Sequence, residues 1–191
     1  MAQATANKVK LFFVDASHFV MGGFSGAIWT KVRRYVPTAS GRQRYNVLGA
    51  LDFTTKKVET MTNSTYITAS EVIALIDKLV TTYSGTPIKL ILDNARYQRC
   101  KAVMEHALAV GVELIFLPTY SPNLNLIERL WKFVKAEVLN AAYHSTFDDF
   151  ANAIDACVQS THTIYKKQLD SLIAENVQFF DELVEETAMV A

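Results

Sequence analysis

The chain has 191 residues, half of them hydrophobic and a fifth charged. This length suits one domain with a well-buried core, and this composition excludes a largely disordered chain. Because no apolar run reaches the roughly 20 residues that cross a bilayer, and the N-terminus MAQATANKVK lacks the apolar core of a signal peptide, we expect a soluble, intracellular protein with no membrane partner.

The net charge of zero hides an asymmetry between the two halves of the chain. Residues 1–101 hold 14 Lys and Arg against 6 Asp and Glu, whereas residues 102–191 hold 5 against 13. A basic N-terminal half is compatible with a polyanionic partner such as DNA.

The N-terminal region begins with a short apolar run, residues 9–15, which predicts a buried central strand with Asp15 at its C-terminal end. Glycines and a proline make residues 16–44 the least regular part, although residues 27–36 have strand composition. Five basic residues and no acid lie between positions 16 and 51, which predicts a phosphate-contacting arm; a solvated hairpin without a partner is the alternative. The five are Lys31, Arg33, Arg34, Arg42 and Arg44.

The middle of the chain alternates strands and helices. Residues 45–53 and 57–63 predict an antiparallel hairpin, and Thr68 with Glu71 has the form of a capping box that opens a helix. Two further strands are predicted, residues 88–93 ending at Asp93 and residues 112–117. They flank a helix over 97–110.

The C-terminal part is predicted to be helical. An amphipathic helix carries Glu128 in its first turn, and two more helices start near Thr146 and near Thr163. The element order favours one mixed sheet with helices on both faces. The strands that end at Asp15 and Asp93 are expected to be parallel neighbours, with both acids at the edge where ligands bind in open α/β sheets.

Three acids, Asp15, Asp93 and Glu128, are the candidate catalytic and metal-binding residues. Buried carboxylates that repel each other are stabilised by a divalent ion, and Mg²⁺ prefers oxygen ligands. Three carboxylates are enough for two ions around a scissile phosphate. Lys132 and Lys135 lie on the same helix face as Glu128 and are candidate phosphate contacts. Asn94 is a candidate for orienting a ligand or water.

Each acid also has a purely structural interpretation. Asp15 and Asp93 could cap the turns that follow their strands. Glu128 could be the partner of an Asn125-led cap or form a surface ion pair with Lys132, and the two lysines could be a solvated helix face.

The joint pattern resembles a known family. The segments LFFVDASHF, LILDNARYQ and SPNLNLIERLWKFVK occur in this order, SGRQRYNVLGAL lies between the first two, and 34 residues separate Asp93 from Glu128. Across residues 9–140 these motifs resemble DDE transposases of the mariner superfamily, specifically the bacterial IS-six-thirty group of insertion sequences.

The resemblance implies a ribonuclease-H-like fold with a five-stranded sheet and identifies Asp15, Asp93 and Glu128 as the metal-binding acids. It also implies two Mg²⁺ ions, for which Mn²⁺ would substitute, cleavage at terminal inverted repeats, and transfer of the 3′-hydroxyl into target DNA at TA. Double-stranded DNA would then be the partner, with a homodimer on DNA in the bacterial cytoplasm.

One departure from the family concerns the N-terminus. Relatives carry helix-turn-helix modules before the catalytic domain, and we expect this chain to be a single catalytic domain, core 9–140 with a helical extension 141–191, without them. The DNA-reading region would act in cis or in trans. The alternatives are an inactive or accessory DNA-binding or dimerisation module and another ribonuclease-H-like nuclease.

Overall fold

The structure is a computed structural model that describes residues 8–22, 31, 42–118, 124–139 and 143–174. Its strands are β1 (Lys10–Val20), β2 (Arg44–Asp52), β3 (Val58–Asn63), β4 (Ile88–Leu92) and β5 (Val112–Phe116). Its helices are α1 (Ala69–Thr82), α2 (Lys101–Ala109), α3 (Ile127–Leu139), α4 (Phe147–Gln159) and α5 (Lys166–Ala174). None of these helices is long and apolar enough to cross a membrane.

The five strands form one mixed sheet in the order β3-β2-β1-β4-β5. β1, β2 and β3 pair antiparallel, which confirms the predicted hairpin, and β4 pairs parallel to both β1 and β5. The predicted parallel contact between the strands that lead to Asp15 and Asp93 is therefore confirmed. The central strands β1 and β4 are covered on both faces, as their continuous apolar sequences require.

Each face of the sheet carries its own hydrophobic core, because successive side chains of a strand point to opposite faces. Phe12 and Val14 belong to a core that α1 and α2 cover. Phe13 and Phe19 belong to the other core, which α3, α4 and α5 cover. Helices thus lie on both faces of the sheet, as predicted.

β1 is longer than the sequence predicts. Ala16 to Val20, which were expected to be irregular, continue the strand because they pair with Leu48 to Arg44 of β2. The parallel partner stops earlier, since the last β1–β4 pair is Val14 with Leu92. Asp15 therefore lies in the middle of its strand, at the point where β4 ends beside it.

The helix starts agree with the predictions at two positions and differ at two others. Thr68 forms the predicted capping box with Glu71, and the Thr146 side chain accepts a hydrogen bond from the N–H of Asp149. α2 begins at Lys101 and not near residue 97, because a turn closed on the Ala95 carbonyl precedes it. Turns over residues 160–165 likewise delay α5 to residue 166. The strand predicted within 27–36 lies outside the described residues.

Candidate active site

The positions of two of the three predicted acids follow directly from the register of the sheet. Val14 pairs with Leu92, so Asp15 and Asp93 are the next residues on two parallel strands. Neighbouring strands are about 4.8 Å apart, which places the two backbones side by side. Because side chains alternate along β1, Asp15 shares the sheet face of Phe13 and Phe19, the face that α3 covers.

Glu128 reaches the same place from α3. The neighbouring residues Ile127, Leu130 and Trp131 are buried against the sheet, which fixes the first turn of the helix over β1 and β2. Glu128 itself remains half-buried. Three separate elements thus bring one carboxylate each to the same region of the molecule.

The acids influence each other electrostatically. Burial, together with the negative charges of Asp93 and Glu128, raises the pKa of Asp15 to about 7, although the backbone N–H of Ala16 opposes this shift. Burial and the charge of Asp93 also raise the pKa of Glu128, and the nearby Lys132 ammonium opposes this. Ionising Asp15 and Glu128 therefore costs free energy that a bound cation would recover.

The carboxylates do not form a single metal shell. Within the described parts of the chain, no three His, Cys, Asp or Glu side chains lie close enough together to hold one ion among them. The ion pairs between described residues do not include Asp15, Asp93 or Glu128. The donor set, hard oxygens with uncompensated negative charge, has the chemistry that fits Mg²⁺ or Mn²⁺.

Asn125 has a different role from the predicted helix cap. Its side chain is buried, and Nδ2 donates to Asp93 Oδ1 at 3.0 Å and to the Val14 carbonyl at 3.3 Å. The Asn125 side chain therefore contacts the acid site and does not form a capping box with Glu128.

Asn94 lies beside Asp93 but turns towards other groups. Its Nδ2 donates to the Leu117 carbonyl, which follows β5, and its Oδ1 accepts from Arg99 Nη1 at 3.3 Å. These contacts fix the loop after β4, and the orienting role of Asn94 stays a prediction.

Two aromatic side chains that the sequence did not assign to the site lie next to the acids. The charges of Asp15 and Asp93, added to burial, raise the pKa of Tyr97 to about 12, so its phenol is neutral and keeps its proton. Trp131 lies close enough to lower the pKa of Asp15. The spacing of Trp131 from Glu128, one helical turn, was available in the sequence, but its apolar neighbours indicated only a core position.

The predicted DNA contacts fall into three groups. Lys132 and Lys135 are exposed on α3, and Lys135 Nζ lies 5.6 Å from the centre of the Phe19 ring, on the Asp15 face. Lys31, Arg42 and Arg44 are exposed, and strand alternation directs Arg44 to the opposite sheet face. Arg33 and Arg34 lie outside the described residues.

Solved structures with the same fold are catalytic cores of integrases and transposases. The catalytic domain of Mos1 mariner transposase superposes with a TM-score of 0.56 at 12% identity, covering 88% of this chain and 78% of that chain. The HTLV-2 integrase catalytic core domain, solved with magnesium, gives a TM-score of 0.52 at 14% identity, covering 83% of this chain and 88% of that one. These matches confirm the ribonuclease-H-like fold.

A chain of the simian T-cell lymphotropic virus intasome gives a TM-score of 0.54 at 15% identity, over 83% of this chain. The present chain spans only 49% of that longer protein. No curated protein matches this sequence. The family model described as "DDE superfamily endonuclease" matches residues 10–151, a range that contains all three acids of the site. On this match over most of its length, the chain belongs to the DDE superfamily of endonucleases.

Proposed function

We propose that this chain is the catalytic domain of a bacterial insertion-sequence transposase of the IS-six-thirty group. In this proposal it cuts DNA at the terminal inverted repeats of its element and joins the 3′-hydroxyl to target DNA. The observation that carries the proposal is the convergence of Asp15, Asp93 and Glu128 from β1, β4 and α3, without a basic partner among the described ion pairs.

The proposed cofactor is Mg²⁺, with Mn²⁺ as a substitute and two ions per site. Mg²⁺ is usually held by one or two carboxylates plus waters and substrate phosphate. Three carboxylates supply enough oxygens for two ions that each take part of the acid set. When bound, such ions activate the attacking oxygen and neutralise charge on the phosphate.

The proposed partner is double-stranded DNA, both element ends and target, with TA as the expected target. Exposed Lys132 and Lys135 beside the site would contact its phosphates. A homodimer on DNA is proposed because a structural neighbour is the Mos1 transposase paired-end complex with transposon end, although this chain spans only 57% of that protein. A helix-turn-helix region acting in cis or in trans would read the end sequence, and the cell compartment would be the bacterial cytoplasm.

The test combines metal titration by calorimetry with nicking of supercoiled plasmid. We expect the wild-type chain to bind Mn²⁺ and Mg²⁺, and a triple variant with Asp15→Ala, Asp93→Ala and Glu128→Ala to lose both binding and nicking. The single change Asp93→Asn should also abolish metal-dependent nicking. It is the more specific test, because the amide oxygen still accepts the hydrogen bond from Asn125 while the negative charge is removed. Metal binding that survives in the triple variant would overturn the proposed centre.

A substrate panel separates transposase from other nucleases of this fold. Linear duplex, a four-way junction and an RNA/DNA hybrid are incubated with the chain and Mn²⁺. Cleavage of the duplex supports the proposal. Exclusive cleavage of the hybrid or of the junction would reassign the centre to a ribonuclease H or a junction nuclease.

A further inference from the structure

Three residues of the segment that begins α3 are spaced three apart: Asn125, Glu128 and Trp131. Residues at this spacing lie on one side of a helix, one turn above the other. Glu128 is the proposed metal-binding acid, whereas Asn125 and Trp131 are buried, at 1% and 4% exposure. Asn125 contacts β1 and Asp93, which follows β4, and the Trp131 ring packs against β1 and β2.

Asn125 connects the start of α3 to the ends of both strands. Its Nδ2 donates to Asp93 Oδ1 and to the carbonyl of Val14, the residue before Asp15. Its Oδ1 is buried and makes no hydrogen bond with the described residues.

Trp131 reaches the other aspartate. Gly49 of β2 pairs with Asp15, and a Cβ built on Gly49 would lie 2.7 Å from Trp131 Cη2 and 2.8 Å from Cζ2. Paired residues of antiparallel strands direct their side chains to the same face, so the indole edge next to its Nε1 lies beside the Asp15 side chain. The Nε1–H is buried and forms no regular hydrogen bond with the described residues.

We propose that Asn125 and Trp131 are positioning residues that set the orientation of the two aspartates for metal, Asn125 through Asp93 and Trp131 through Asp15. α3 and the two residues before it thereby fix all three acids relative to each other. Hydrogen bonds that orient ligating groups typically change metal affinity or activity by about 10-fold to 100-fold. This inference rests on the proposed function, because it assumes that the acids bind metal.

The test measures Mg²⁺ and Mn²⁺ affinity of the whole chain by calorimetry in Asn125→Leu and Trp131→Phe. Asn125→Leu replaces the amide by an apolar side chain of similar shape, Trp131→Phe keeps an aromatic ring, and each change removes the N–H donor. We expect Mg²⁺ binding about 10-fold to 100-fold weaker in each variant, with a smaller loss for Mn²⁺, which tolerates less regular geometry than Mg²⁺. Wild-type affinity in both variants would overturn the proposal.

The matched control is Asn46→Leu. Asn46 is a fully buried amide on β2 that donates to Asn63 Oδ1 and to the Thr65 carbonyl, and its hydrogen bonds with described residues do not include the acids. The Asn46→Leu variant should lose thermal stability, as Asn125→Leu does, but should keep the metal affinity of the wild-type chain. Equal loss of metal affinity in this control would reduce the role of Asn125 to stability and overturn its assignment.

The indole N–H resonance of Trp131 tests its contact with Asp15 in chains that keep the tryptophan. The sequence has two tryptophans, so the spectrum of Trp131→Phe assigns the Trp131 indole N–H resonance. We expect this resonance to move in Asp15→Asn and on addition of Mg²⁺, and to stay in place in Glu105→Gln on α2. A resonance that ignores both Asp15→Asn and Mg²⁺ would remove Trp131 from the proposal. The triple acid variant distinguishes failure of this inference from failure of the proposed function. If that variant still binds metal, the proposed function itself fails.

Discussion

Gly49 lies directly opposite Asp15 on the neighbouring strand, and the space that a side chain at Gly49 would fill is taken by the ring of Trp131. The same ring packs edge-on against Phe19, with the ring centres 6.2 Å apart. Glycine weakens a strand in isolation, but here it permits close approach of the helix that carries Glu128. The sheet thus supplies a recess for the helix at the acid site.

Gly49→Ala is therefore expected to damage the site as well as the fold. The new Cβ would meet Trp131 at 2.7 Å and Ile127 Cδ1 at 3.2 Å, so the ring and the start of α3 must move. We expect the free energy of unfolding to fall by about 1–3 kcal/mol, the usual cost of overpacking, and metal-dependent nicking to fall with it. Urea denaturation and plasmid nicking measure the two effects.

The control for this substitution is Gly111→Ala, which has no atom within 4 Å of the new Cβ but holds a φ of +74°. Its cost, about 1 kcal/mol, comes from the left-handed backbone and not from a clash. It should lower stability and leave nicking unchanged. Nicking that stays at the wild-type level in Gly49→Ala would mean that the helix adjusts without disturbing the acids.

Thr68→Ala tests a contact that is remote from the acids. The Thr68 side chain accepts a hydrogen bond from the N–H of Ser70, and the backbone N–H of Thr68 donates to Glu71 Oε2 at 2.7 Å. Loss of this cap should lower the free energy of unfolding by about 1 kcal/mol. Metal affinity should not change, and a drop in metal affinity would show that α1 is coupled to the site.

The elements that could be predicted from the sequence are those specified by local chemistry. The cap at Thr68, the hairpin before it and the apolar strands that lead to Asp15 and Asp93 depend on neighbouring residues, and the structure confirms them. The strand over Ala16 to Val20 was missed because it exists through pairing with residues of β2 that lie 24 to 32 positions further along the chain.

The acids could be predicted from the sequence, whereas the residues that contact them could not. Asp15 and Asp93 could be selected because carboxylates at the ends of apolar runs are unusual in a folded core, and Glu128 could be selected because the motif around it resembles that of DDE transposases. Asn125 and Trp131 could not, because an asparagine before a helix predicts a cap and a tryptophan in an apolar stripe predicts core packing. Their contacts with the aspartates depend on how α3 is placed across the sheet, which local sequence does not specify.

Lys132→Gln with Lys135→Gln tests the predicted phosphate contacts. Both ammonium groups are exposed on the helix that carries Glu128. We expect weaker binding to duplex DNA of any sequence, and a slope of log affinity against log salt that is smaller by up to about 2. Fluorescence anisotropy at several salt concentrations measures both quantities.

The matched control is Lys166→Gln with Lys167→Gln, which removes the same charge from α5. Lys166 lines a cavity with Lys10, the first residue of β1, and so lies towards the sheet end opposite the acids. This control should leave the salt slope unchanged. Equal changes in the two double variants would show that DNA affinity depends only on net charge. The α3 lysines would then be solvated surface residues and not specific phosphate contacts.

The pKa of about 7 at Asp15 predicts how stability depends on pH without metal. The pKa of an unfolded Asp is near 3.8, so between these two values the folded chain binds this proton more tightly than the unfolded chain does. The free energy of unfolding must then fall as pH rises from about 4 to about 7, and the raised pKa of Glu128 acts in the same direction.

Asp15→Asn removes this dependence because the amide does not ionise. In urea denaturation with a chelator present, we expect the wild-type chain to be less stable at pH 7.5 than at pH 5, and the difference to shrink by at least about 1 kcal/mol in Asp15→Asn. Glu105→Gln, an exposed carboxylate change on α2, should retain the wild-type difference. If Asp15→Asn also retains it, Asp15 ionises freely in the folded chain, and the repulsion that makes this site receptive to a cation does not exist.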